Sequence, residues 1–80
     1  MGEHKARIDW VRNTQDFNYD TYNREHTWMF DNGTLVHASA ALAYKGNEGC
    51  VDPEEALVAA ASSCHMLTFL AIACKKRKSK

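Results

Sequence analysis

The side chains best suited to chemistry in this sequence are thiols and imidazoles. The chain has three cysteines and four histidines. No two cysteines form a CxxC pair, and the histidines lie at no metal-ligand spacing from carboxylates or cysteines, which disfavours a structural zinc site. Three thiols also disfavour a disulfide scaffold. A reactive thiol is therefore the chemistry to examine. The residues are Cys50, Cys64, Cys74, His4, His26, His37 and His65.

Cys64 lies in the middle of a long apolar segment. A cysteine acts as a nucleophile only as the thiolate, whereas a thiol with the ordinary pKa near ~8.5 is mostly protonated at neutral pH. Burial disfavours the charged form further, so a nearby cation would be required. His65 points about 100° away around a helix and is expected to be a core or interface residue. The alternative function of Cys64 is packing in a core.

Residues 52–75 are predicted to form one long helix. Asp52 can cap it, Pro53 suits its first position, and Glu55 completes an Asp-x-x-Glu capping box. Residues 56–74 carry no formal charge, and they are apolar on every helical face. Such a helix must be buried all round.

Residues 4–39 are predicted to form strands. Ala6, Ile8 and Trp10 alternate with polar residues, as in a half-buried strand. A hairpin is predicted at 31–33 because Asn-Gly suits a turn whose two central residues both have positive φ. Residues 40–51 are predicted to form a loop. A three-stranded antiparallel sheet followed by one helix makes this an α+β chain, and the sheet can cover only one side of the helix.

Charge is divided unevenly along the 80 residues. Residues 1–74 hold five basic and ten acidic side chains, a net −5, and the basic end at 75–80 adds +5 to give the formal total of zero. An acidic body disfavours nucleic-acid binding, which needs basic charge on a folded face. The start has no apolar signal segment, so one cytoplasmic domain is expected.

The uncharged helix also raises a membrane alternative. Nineteen uncharged residues followed by a basic cluster have the length and flank of a membrane-spanning helix. Polar residues in the middle of the segment (Ser62, Ser63, His65 and Thr68) and the strand-rich first half disfavour this alternative. The preferred interpretation is a central helix buried in a dimer.

Two blocks of sequence resemble the OsmC/Ohr family, the osmotically inducible protein C and organic hydroperoxide resistance proteins. They are residues 22–33 (YNREHTWMFDNG) and residues 52–70 (DPEEALVAAASSCHMLTFL). The match extends nearly to Cys74 but corresponds to the N-terminal half of a typical member. The resemblance implies an intertwined α+β homodimer, with two long helices back to back between sheets. It also implies a thiol-dependent peroxidase that reduces organic hydroperoxides in defence against oxidative stress.

The resemblance assigns roles to three residues. Cys64 matches the peroxidatic cysteine, whose thiolate attacks the peroxide and becomes a sulfenic acid. Arg24 matches the arginine that supplies the cation, and Glu54 matches the carboxylate that orients this arginine. No metal or organic cofactor is implied, and an external thiol or dithiol is the expected reductant.

Helix geometry makes these roles depend on a second chain. Glu54 and Cys64 are ten residues apart, about 15 Å along one helix, so they can share a site only between two helices. Members of the family also carry a second, resolving cysteine in the C-terminal half. Cys74 cannot replace it, since it also lies about 15 Å from Cys64 and a disulfide needs Cα atoms within ~7 Å. Cys50 precedes the helix and is likewise distant.

The chain is therefore expected to be one truncated OsmC-like domain over residues 1–80, with a basic tail at 76–80. Two alternatives to the peroxidase remain open. One is a dimerising fold module that keeps the thiol but does not turn over. The other is a small membrane-associated protein.

Overall fold

The computed structural model describes residues 3–78 and contains a sheet followed by one helix. The three strands form an antiparallel sheet in the order β1-β2-β3. This arrangement confirms the predicted α+β class, with a three-stranded antiparallel sheet followed by one long helix. The elements are β1 (Ala6–Asp9), β2 (His26–Phe30), β3 (Leu35–Ala38), a short 3-10 helix (Leu42–Tyr44) and α1 (Pro53–Lys78).

The β2–β3 hairpin forms where it was predicted, but with a different turn. The Phe30 N–H donates to the Thr34 carbonyl (3.0 Å), and the Gly33 N–H donates to the Phe30 carbonyl (2.9 Å). Gly33 has a φ of 90°, whereas Asn32 does not have a positive φ. The connection is thus a three-residue loop with glycine in the left-handed position. The prediction that both Asn32 and Gly33 have a positive φ was wrong. That prediction assumed a two-residue turn, and the loop has three residues.

Trp10 does not continue β1, contrary to the predicted alternation. The strand ends at Asp9, and the Trp10 indole donates instead to the Asn23 carbonyl (2.9 Å). Its ring lies against Phe17 and Tyr22, at centroid distances of 6.1 and 6.5 Å. A tryptophan that was expected on a sheet face therefore belongs to the loop between β1 and β2.

The segment after β3 folds back onto that strand. Val51 forms a parallel bridge with Ala38, and the Ser39 N–H donates to the Val51 carbonyl (2.9 Å). Ala38 and Ser39 are fully buried, and they are the only residues in this class among those the structure describes. Residues 40–51, which were predicted to be a loop, contain the short 3-10 helix. Lys45 follows this helix in a left-handed conformation, and the Gly46 N–H donates to the Ala41 carbonyl.

The start of α1 is the predicted capping box. The Glu55 N–H donates to Asp52 Oδ1 (2.7 Å), and the Asp52 N–H points to Glu55 Oε1 (3.5 Å). The helix continues to Lys78, three residues beyond the predicted end at 75. The basic residues up to Lys78 thus extend the helix rather than forming a separate tail, and 79–80 lie outside the described residues. Cations suit this end because they oppose the helix dipole.

Within one chain α1 is exposed, although the sequence predicts a helix that must be buried. Leu57 is 72% exposed and Phe69 is 65% exposed, and no residue of the helix is buried over its described side chains. The radius of gyration is 18.0 Å, whereas a compact chain of this length has one near ~12 Å. The helix is also long and apolar enough to cross a bilayer, by length and composition alone. A second surface is needed to cover it.

The turn at Gly46 provides a test of the fold. A Cβ at Gly46 would lie 1.5 Å from the Ala40 carbonyl oxygen, so the backbone would have to move. We expect Gly46→Ala to lower the free energy of unfolding by about 1–3 kcal/mol, as overpacking does. Urea unfolding followed by circular dichroism measures this change.

Gly49→Ala is the matched control. A Cβ there would meet only the flexible Asn47 side chain, at 3.2 Å. This variant is expected to unfold within about 0.5 kcal/mol of the parent, as ordinary surface substitutions do. Equal midpoints for the two glycine variants would contradict the close approach at Gly46.

Candidate functional site

Arg24 lies just before β2, with its side chain half-buried. Its Nη1 donates to the Tyr22 carbonyl (2.6 Å), and its Nη2 donates to the Tyr19 carbonyl. The guanidinium carbon lies 3.7 Å from the Tyr22 ring centroid and 5.1 Å from that of Tyr19. The loop that precedes β2 therefore wraps around the cation with carbonyl dipoles and aromatic faces.

No carboxylate within the described part of the chain balances the charge of Arg24. Over residues 3–78, no acidic side chain pairs with it, while other basic residues do form ion pairs. A guanidinium carries five N–H donors, and the two carbonyl bonds leave donors that can meet an anion. Arg24 thus provides a half-buried positive charge able to bind a thiolate or a carboxylate from another element.

Arg24 borders an open cavity of about 420 Å³. Aromatic side chains make up much of its wall, and Pro53, the first residue of α1, lies at its edge. The cavity thus joins the loop before β2 to the beginning of the helix. Six of the residues that line it matter here: Trp10, Phe17, Tyr22, Arg24, His26 and Pro53.

Glu54 follows Pro53 directly, in the first turn of α1, and it is exposed. It therefore lies near the cavity that contains Arg24. Among residues 3–78 the structure forms no ion pair between Arg24 and Glu54. Arg24 and Pro53, the residue before Glu54, line the same cavity, but the structure shows no contact between the two predicted site residues.

Cys64 is exposed in the middle of α1, and its carbonyl accepts a hydrogen bond from the Thr68 hydroxyl (3.0 Å). It lies eleven residues after Pro53, about 16 Å along the helix. The chain therefore brings Arg24 to the start of its own helix and not to its own Cys64.

The other two thiols are also free. Cys50 is half-buried just before the helix, and Cys74 is exposed ten residues after Cys64. Ten helical residues span about 15 Å, beyond the reach of a disulfide. Over residues 3–78, no three His, Cys, Asp or Glu side chains form a group that could hold a metal ion.

His26 and the aromatic cluster are site features that the sequence analysis did not assign. His26 Nδ1 lies 2.8 Å from the Arg24 carbonyl, which can only accept, so Nδ1 carries the proton. Its imidazole borders the same cavity. The available signals were the Arg-x-His spacing and the aromatic residues scattered through the polar stretch before β2, which are Trp10, Phe17, Tyr19 and Tyr22.

Comparison with known proteins places this arrangement in a family. No family model matches the chain, and no curated protein matches it. A solved structure does match: an OsmC-like protein of unknown function from Vibrio cholerae O1 biovar eltor, at 49% sequence identity and a TM-score of 0.88. The match covers 96% of this chain and 53% of that protein, so the chain spans about half the length of this relative. The chain, with its three-stranded sheet and single long helix, belongs to the OsmC-like family.

Proposed function

We propose that this chain forms a cysteine-based peroxidase that reduces organic hydroperoxides with external thiols, with Cys64 as the nucleophile. The observation that carries the proposal is the uncompensated guanidinium of Arg24 beside the start of the helix that exposes Cys64. A half-buried cation with free donors is the group that a thiolate needs. The cytoplasm, where thiol reductants are abundant, is the proposed location.

The proposed reaction is a two-electron reduction of the peroxide. The Cys64 thiolate attacks the terminal oxygen of ROOH, the O–O bond breaks, and the leaving alkoxide takes a proton to become an alcohol. Cys64 is then a sulfenic acid. A first reductant thiol condenses with it to give a mixed disulfide and water. A second thiol attacks the reductant sulfur, which releases Cys64 and the oxidised reductant.

The Arg24 guanidinium has two roles in this scheme. Its positive charge favours the thiolate over the thiol, and its remaining N–H donors point to the developing alkoxide or to the carboxylate of Glu54. Glu54 would orient the guanidinium through such a pair. The aromatic walls of the cavity suit the apolar part of an organic hydroperoxide.

The site needs a second copy of the chain, since Arg24 and Cys64 of one chain are separated along the helix. In a two-fold symmetric dimer, Glu54 can meet Cys64 of the partner subunit only if the helices are antiparallel and cross near residue 59. Glu54, Leu57, Ala61 and Cys64 lie within an arc of about 80° at 100° per residue. The same crossing therefore places Leu57 beside Ala61 of the partner subunit, where a small side chain allows close approach.

A dimerising module without turnover is a second candidate. It is favoured by the positions of Cys50 and Cys74, neither of which can reach Cys64 of the same chain to resolve a sulfenic acid. In this case, the dimer would form and Cys64 would be oxidised once.

A membrane-associated protein is a third candidate. It is favoured by the exposed apolar helix, which has the length to cross a bilayer. Partition of the full chain into detergent rather than buffer during extraction would support it over the other two.

The catalytic proposal predicts consumption of cumene hydroperoxide by the full chain with a dithiol such as dihydrolipoamide. Cys64→Ser is expected to abolish activity, because it removes the nucleophile. Arg24→Ala is expected to lower kcat/KM by about 10–150-fold, since the removed charged contact is worth about 1.5–3 kcal/mol. Cys74→Ser is the matched control and should keep the parent rate. If the parent chain consumes peroxide no faster than the Cys64→Ser variant does, the proposal is contradicted. A single turnover by the parent chain would favour the dimerising module.

The helix crossing predicts a specific crosslink. In a background of Cys50→Ser, Cys64→Ser and Cys74→Ser, a chain with Leu57→Cys is refolded together with a chain with Ala61→Cys. Oxidation of the mixture should give a covalent dimer on a non-reducing gel, since the two positions face each other across the crossing.

Each single-cysteine chain oxidised alone is the control for this experiment. In the antiparallel crossing, residue 57 of one chain and residue 57 of the other are about 6 Å apart along the helix axes, in addition to the distance between the two helices. A disulfide between two copies of the same position is therefore not expected. Equal crosslinking of the mixture and of either chain alone would contradict the antiparallel crossing.

A further inference from the structure

We infer that Tyr22 is a positioning residue for Arg24, so that its ring sets the orientation of the cation that the active site uses. This inference rests on the proposed function and adds to it a residue outside the peroxidatic set. Tyr22 contributes to Arg24 in two ways. Its ring centroid lies 3.7 Å from the guanidinium carbon, and its carbonyl accepts from Nη1 at 2.6 Å.

The ring of Tyr22 is itself fixed by two aromatic neighbours. Phe17 packs against it at a centroid distance of 5.2 Å and an interplanar angle of 61°, and Trp10 does so at 6.5 Å and 90°. Both are edge-to-face arrangements, which aromatic rings prefer. The face of Tyr22 that Arg24 uses is therefore held in a defined direction.

The loop around these rings is closed by hydrogen bonds of Asn23. Its carbonyl accepts from the Trp10 indole (2.9 Å), and its side-chain Nδ2 donates to the Val11 carbonyl (3.0 Å). Its Oδ1 accepts from the Asn13 N–H (2.9 Å). The residue between Tyr22 and Arg24 thus ties the two ends of the loop together. A continuous set of contacts runs from the end of β1 to the guanidinium.

The ring has a function that the carbonyls cannot replace. The carbonyls of Tyr19 and Tyr22 hold only the two donors that they accept, whereas the ring of Tyr22 packs against the guanidinium itself, with its centroid 3.7 Å from the guanidinium carbon. The Tyr22 ring covers one face of the guanidinium, and the remaining N–H donors of Arg24 are available to an anion. A substitution that removes the Tyr22 ring keeps the positive charge of Arg24 but no longer holds the guanidinium in one orientation.

The test measures the Cys64 thiolate and the rate in the same chains. In a Cys50→Ser/Cys74→Ser background, absorbance at 240 nm at pH 7 reports the thiolate fraction of Cys64. Tyr22→Leu is expected to lower this fraction and to lower kcat/KM for cumene hydroperoxide about 3–10-fold, the range of a cation–π contact. Tyr22→Phe is the matched comparison: it keeps the ring face, so it is expected to retain more of the thiolate fraction and of kcat/KM than Tyr22→Leu does.

A second series separates this role from a loss of folding. Phenylalanine analogues with one, two or three ring fluorines at position 22 keep the shape of the ring but weaken its negative face. The rate should fall stepwise along the series while the circular dichroism spectrum stays constant. In an Arg24→Ala background the same substitutions should leave the thiolate fraction of Cys64 unchanged, because Tyr22 acts on the thiolate through Arg24.

The outcomes distinguish the inference from the function on which it rests. An inactive parent chain, with a rate equal to that of Cys64→Ser, overturns the proposed function. An active parent whose rate and thiolate fraction are unchanged along the fluorinated series overturns the role of Tyr22 alone. An equal loss of thiolate fraction in the Arg24 and Arg24→Ala backgrounds does so as well.

Discussion

An apolar helix that its own chain leaves uncovered is the constraint on which the rest of this structure depends. Residues 56–74 carry no charge, and all of their side chains except that of the half-buried Ala56 are exposed along α1. Water tolerates scattered apolar side chains but not a continuous apolar surface of this length. The three strands form a small sheet that does not cover the helix, and the extended dimensions of 65 × 26 × 17 Å reflect this separation. We propose that a second copy of the chain covers this surface.

The same constraint explains how the proposed site is divided. The loop before β2 fixes Arg24 next to the start of the helix, and the thiol lies about 16 Å further along. A chain that folded alone would keep its cation and its nucleophile apart. If two copies of α1 cross antiparallel, the first turn of each helix lies beside the middle of the partner's helix. Dimer formation would then cover the apolar surface and assemble the site in the same step. The stability of such a protein then depends on its concentration.

The sequence predicts the elements of this chain better than the contacts between them. The capping box at Asp52 and Glu55 and the Asn-Gly hairpin are local signals whose physics is contained in a few residues, and both appear in the structure. The predicted turn type was wrong, because the type depends on the length of the loop, and that length depends on where the strand pairing ends. The prediction that Trp10 belongs to β1 was wrong for a related reason, since period-two alternation does not show where a strand ends.

The candidate site was predictable only in part. The positions of Cys64, Arg24 and Glu54 came from resemblance to a family, and the chain is now placed in the OsmC-like family by its fold and sequence. The aromatic cluster around Arg24 could not be found from periodicity, since Phe17 and Tyr22 lie in an irregular loop and meet only in three dimensions.

The central claim is that the apolar helix is covered by a second copy of the chain, and sedimentation velocity in detergent-free buffer tests it most directly. The account predicts one species with twice the mass of the chain, which dissociates on dilution together with loss of helical circular dichroism. A stable monomer that keeps its helix at every concentration would contradict the account. So would a chain that enters solution only with detergent.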